Sequence, residues 1–135
     1  VGCRNVTKMF VPKEYDFIRL LDIFRKYVHF KDHHKYKNNY DYNLGLHILN
    51  GKFYMANESI ILFENSSVFS PISQLNYEFY TDKNLVIEQL SLSEDIQCIV
   101  GNDHIPFGQA QNPSLTDYAD DINTLNFLTN LWILS

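Results

Sequence analysis

The sequence predicts an α/β fold, a small sheet with flanking helices, and three observations predict it. Strand-like and helix-like periodicities alternate from end to end of the 135 residues. Apolar residues make up 45% and aromatics 15%, enough large side chains to fill one core. No internal repeat, low-complexity tract or linker divides the chain, so one compact unit over residues 1–135 is expected.

Residues 5–11 place Val6, Met9 and Val11 as apolar positions and stop at Pro12, a short strand. From Glu14 the period changes. Phe17, Leu20, Leu21, Phe24 and Val28 fall on one face of a helix, with Arg19, Asp22, Arg25 and Lys26 toward water. A second helix begins within the polar, basic and aromatic stretch 31–43. Tyr40, Leu44, His47 and Ile48 recur at helical spacing, and Gly51 suits the residue after the last turn.

Residues 59–64 read as a buried strand. Residues 74–81 alternate Leu75, Tyr77 and Phe79 against Asn76, Glu78 and Tyr80, the pattern of a half-buried strand. Thr81 and Asp82 cap a helix carrying Leu85, Val86 and Leu90. Residues 96–100 predict another short buried strand ending at Gly101, and 104–114 a loop. A last helix starts near Asp121, with Ile122, Leu125, Leu128 and Trp132 inward.

The formal net charge is −5, which argues against binding nucleic acid over the whole surface. The charge is uneven: residues 1–50 hold nine Lys/Arg against five Asp/Glu, and residues 51–135 two against eleven. No apolar run approaches the ~18–20 residues of a membrane span. Val1-Gly2-Cys3-Arg4 lacks the charged-then-apolar lead of a signal peptide. Two cysteines are too few for a disulfide scaffold, so a cytoplasmic location is expected. The sequons at Asn5, Asn57 and Asn65 are accordingly discounted.

Cys3 is the first candidate for chemistry. It reads either as a small buried hydrophobe or as a nucleophile beside Gly2, Arg4 and Lys8, whose positive charge lowers a thiol pKa. Cys98, inside an apolar run, reads as structural. His29 and His33 have the i, i+4 spacing of a helical metal pair, but no third ligand follows at a recognisable interval, so no metal is expected. Residues 31–42 interleave base and aromatic, a composition suited to stacking on single-stranded nucleic acid or to an exposed helix face. No glycine-rich phosphate loop exists among the five glycines.

The stretch from Gly2 to Val11 resembles the surroundings of the catalytic thiol in the aldehyde dehydrogenase superfamily. Thr7 follows Cys3 by four residues, Lys8 stands for the family's Arg, Val11 closes the strand, and Tyr15-Asp16-Phe17-Ile18 opens the helix. Val68-Phe69-Ser70-Pro71-Ile72 is similar to the family's Phe-Gly-Pro segment, and Pro106-Phe107-Gly108-Gln109 to its Pro-Phe-Gly-Gly segment. The wording is most similar to the bacterial long-chain acyl-CoA reductases, the fatty-acid reductase type related to bioluminescence.

The resemblance implies an aldehyde-dehydrogenase-like thiol domain. It implies the C-terminal catalytic portion of a longer protein whose dinucleotide-binding domain and general-base Glu lie upstream. It implies Cys3 as the acylated nucleophile, and Ser67 and Phe69 as cofactor contacts. Ser67 stands where the family carries a ribose-holding Glu, and Ser70 where it has Gly. The implied cofactor is NADPH. The implied partners are a long-chain acyl-CoA or acyl-protein thioester, an acyl-protein synthetase and further copies of the chain. A reading of a different class is a non-catalytic binding or interaction module using residues 31–42.

Overall fold

A computed structural model of the chain describes residues 5–93, 95–118 and 122–131. They fall into two compact units, one spanning Val6–Thr81 and the other holding Asn5 with the residues from Asp82 onward.

In the first unit, strand β1 (Lys8–Val11) ends at Pro12, which has no N–H to continue a ladder. Helix α1 (Phe17–Phe24) starts at Asp16, whose carboxylate accepts from the Arg19 N–H at 3.0 Å. Phe17, Leu20, Leu21, Phe24 and Val28 are half-buried and the intervening positions exposed, the face expected from the sequence. Past Phe24 the chain tightens into a 3₁₀ helix, Arg25–Asp32. The change comes where side chains take helix carbonyls: Asn57 Nδ2 donates to Leu21 at 2.7 Å, and the Ser59 hydroxyl lies 3.1 Å from the Phe24 oxygen. Carbonyls bonded sideways are poorly aimed at an N–H four residues on, and i+3 bonds then take over.

Helix α2 (His34–Leu49) is capped by His33, whose ring accepts from the Tyr36 N–H at 3.4 Å. It ends in a Schellman turn: Gly51 adopts φ 60°, its N–H bonds Ile48, and the Lys52 N–H reaches His47 at 3.0 Å. Its inward face is Tyr36, Asn39, Tyr40, Asn43, Leu44 and His47, more polar than apolar. Ile48, expected inward, is exposed. It sits one position past His47, and the 100° step turns it off the sheet.

Strand β2 (Met55–Ala56) pairs antiparallel with β3 (Ile61–Glu64), and β3 pairs parallel with β4 (Gln74–Phe79). β4 also pairs parallel with β1, giving the order β1-β4-β3-β2. β4 is therefore central, and the half-buried alternation expected for it is corrected: Gln74, Leu75, Asn76 and Tyr77 are all buried. One face carries Leu75, Tyr77 and Phe79 with Val11 and Leu62 against α1. The Phe17 and Tyr77 rings lie 4.5 Å apart there. The opposite face carries Gln74, Asn76 and Phe63 against α2. A sheet between two helical layers is the result.

In the second unit, helix α3 (Lys83–Ser91) begins at Asp82, which accepts from the Asn84 N–H at 2.8 Å. The expected strand over 96–100 is absent; a single bridge joins Val100 and Ile105 across a turn. Among the described residues no strand is aligned beside 96–99, and apolar composition alone forms no ladder. Pro106 to Gln109 form a type II turn closed by the Gln109 N–H on Pro106 at 3.0 Å, with Gly108 at φ 82°. Helix α4 (Thr124–Leu131) presents Leu125 and Leu128 exposed, with Ile122 exposed just before it, against the inward placement expected. Trp132 and Asp121 lie outside the described residues. Among the described residues no helix is long and apolar enough to cross a membrane.

Candidate functional site

Cys3 lies outside the described residues. The strand that follows it in sequence, and the segment expected to meet a cofactor, are described, and the fold brings these two together. Residues 65–73 link β3 to the neighbouring parallel strand β4, passing the start of β1. Ser70 bridges the strands. Its hydroxyl donates to the Thr7 carbonyl and accepts from the Asn76 N–H at 2.7 Å. A glycine here would leave that bridge unmade, so the serine at this position has a structural role.

Lys8 adds a second tie. Its ammonium donates to the Ser66 carbonyl at 2.7 Å and pairs with Glu78 at 2.5 Å, with its side chain only 5% exposed. It also lies 4.8 Å from the Phe10 ring centre. Lys8 is thus a tether between β1 and the 65–70 segment.

Ser67 and Phe69 are shaped by their own segment. The Ser67 N–H bonds Asn65 Oδ1 at 2.9 Å, and its hydroxyl lies 3.1 Å from the Phe69 oxygen and 3.3 Å from the Phe69 nitrogen. Beneath them Asn76, 1% exposed, donates from Nδ2 to Phe69 at 2.9 Å and to Ser67 at 3.3 Å. The backbone is fixed while the Phe69 ring stands 55% exposed. The segment therefore presents an open aromatic ring on a braced backbone, with the Ser67 hydroxyl turned back onto Phe69.

The sequence reading did not single out Gln74 and Asn76. Their signal was two amides at alternate positions of a strand: on a central strand such groups are buried and must bond one another or nearby backbone.

The basic-aromatic stretch 31–42 is largely engaged. The Tyr36 hydroxyl donates to the Ser59 carbonyl, and Tyr40 donates to Asn57 at 2.5 Å; burial raises the pKa of both phenols. Lys31 pairs with Glu58 and Lys37 with Asp41, both at 2.5 Å. Tyr42 stays exposed. His33 is committed to its helix cap and the His29 ring packs edge-on to Phe30 at 4.6 Å. Among the described residues no group of three or more His, Cys, Asp or Glu converges to hold a metal ion.

Cys98 is a free, half-buried thiol, here in irregular backbone and not in a strand. It lines a shallow cleft of the second unit with Leu90, Ile96, Ile99, His104 and Ile105. Comparison with protein-family models, curated proteins and solved structures finds no match.

Proposed function

We propose that this chain carries the thiol-bearing part of a long-chain acyl-CoA reductase. The observation supporting this is the pair of ties, Ser70 to Thr7 and Lys8 to Ser66. They draw the segment bearing Ser67 and Phe69 against the strand that follows Cys3. A thiol reductase needs its acyl carbon and hydride donor held about 3–3.5 Å apart, which calls for a cofactor surface fixed on a rigid strand.

In this reading the Cys3 thiolate attacks the thioester carbonyl carbon, a new C–S bond forms, and coenzyme A leaves as its thiolate. NADPH, when bound, would supply a hydride to the acyl carbon; the C–S bond to Cys3 then breaks, the aldehyde leaves and the Cys3 thiolate is restored. The exposed Phe69 ring and Ser67 hydroxyl hold the nicotinamide end, while the dinucleotide's phosphates are held by polypeptide outside these 135 residues. Ser70 and Lys8 hold that contact surface against β1.

Incubation with a radiolabelled long-chain acyl-CoA is expected to leave label on the peptide containing Cys3. Equal labelling of a Cys3→Ala protein would overturn the proposal. Thiol-selective alkylation near neutral pH is expected to modify Cys3 before Cys98.

A further inference from the structure

A chain of side-chain amides runs from α2 through the sheet to the 65–70 segment. His47 Nε2 lies 2.8 Å from Gln74 Oε1, Gln74 Nε2 lies 2.8 Å from Asn76 Oδ1, and Asn76 Nδ2 lies 2.9 Å from the Phe69 carbonyl oxygen. The direction of every bond follows from its far end. Carbonyl oxygens only accept, so Asn76 must turn its NH2 toward Phe69 and Ser67 and its oxygen toward Gln74. Gln74 must then give its NH2 to Asn76 and keep its oxygen for His47. His47 is left one role, donation from Nε2.

The imidazole is braced for that role. Its ring centre lies 4.2 Å from that of Phe63 and 5.8 Å from that of Tyr54. One helical turn earlier, Asn43 Nδ2 donates to the Ile72 carbonyl at 3.0 Å, so α2 grips both ends of the segment. Asn76 and Gln74 are buried, where an unmet amide is costly and a completed chain of bonds is correspondingly rigid.

We propose that His47 is a positioning residue, fixing the backbone at Phe69 from α2 through Gln74 and Asn76. On the acyl-CoA reductase reading above, the surface so fixed is the one that receives the nicotinamide end of NADPH.

The test uses isotopically labelled protein and three proteins: wild type, His47→Phe, which keeps a ring between Phe63 and Tyr54 but has no donor, and His47→Gln, which restores an N–H. In the wild type the neutral imidazole is expected to carry its proton on Nε2; an Nδ1–H tautomer in the imidazole ¹⁵N spectrum overturns the proposal and needs no variant. In His47→Phe the Ser67 to Ser70 amide resonances are expected to shift. The Asn76 side-chain NH2 is expected to exchange roughly tenfold faster, the scale of one lost buried hydrogen bond. His47→Gln is expected to return both toward wild type. Unchanged resonances at 67–70 in His47→Phe, or no recovery in His47→Gln, overturn it. Cys3 acylation by labelled acyl-CoA is followed in parallel and is expected to be equal in all three. Loss of Cys3 labelling in the wild type refutes the reductase reading and leaves the amide measurements to decide the role of His47.

Discussion

Asn76 shows how one side chain organises a surface. Its backbone N–H binds Ser70, its Nδ2 serves Ser67 and Phe69, and its Oδ1 receives Gln74, so each part of the residue is committed. Asn76→Leu is expected to destabilise the protein by about 1–3 kcal/mol, because it removes the donor to the Ser67 and Phe69 carbonyls and leaves the buried Gln74 amide without its acceptor. Urea denaturation measures it, and a loss below 0.5 kcal/mol, the ordinary scatter of surface substitutions, would contradict the assignment. Leu62, with no exposed area, is the apolar counterpart: Leu62→Ala is expected to cost about 2–5 kcal/mol by the same measurement. Asn57 belongs to a sequon, yet its Oδ1 accepts from the Ser59 and Ile60 amides at 2.8 and 3.0 Å while Nδ2 holds the Leu21 carbonyl. Asn57 thus has a structural role in joining α1 to the turn before β3.

At the scale of elements, helix ends and ion pairs carry the predictions. Gly51 ends α2 at φ 60°, and a Cβ there would meet nothing within 4 Å. Gly51→Ala therefore carries only the conformational cost of a left-handed L-residue, about 1–2 kcal/mol, read as a lowered thermal midpoint. The Lys31–Glu58 pair ties the end of the 3₁₀ helix to the turn between β2 and β3. The hydrogen bond and charge of Lys31 hold the Glu58 carboxyl below its ordinary value of 4.5. A carboxyl lowered on folding stabilises above its unfolded value and loses that contribution as pH falls through the folded one. Any excess stability of wild type over Glu58→Gln is thus expected at neutral pH and vanishes at pH well below 4.5. Since both side chains are exposed, the difference is small and salt-sensitive; thermal midpoints of the two proteins across pH and salt check it.

At the scale of the molecule, stability is expected to be graded within the first unit. β4 is paired on both edges and covered on both faces, whereas β2 is a two-residue edge strand. Hydrogen exchange is expected to be slowest for amides of 74–79 and faster for those of 55–56; equal protection would contradict this architecture. Several elements were legible because local patterns decide them. The Phe17, Leu20, Leu21, Phe24, Val28 stripe, the cap at Asp82 and the stop at Gly51 each depend on residues within a few positions, and the structure reproduces each. Strand partners are not local. Nothing within 74–81 says that β1 and β3 will flank it or that α2 will cover its second face, so Asn76 reads as solvent-facing from sequence and is buried in the fold. The run 96–100 failed in the opposite sense, having strand composition and, among the described residues, only the single Val100–Ile105 bridge. The candidate site divides along the same line. The sequence alone determined the residue types: a thiol at position 3 and the Ser67, Phe69 and Ser70 segment. Only tertiary structure decided that this segment lies against β1, and that His47, Gln74 and Asn76 hold it. Those bonds join residues far apart in sequence, and chain topology, not local propensity, selects such contacts.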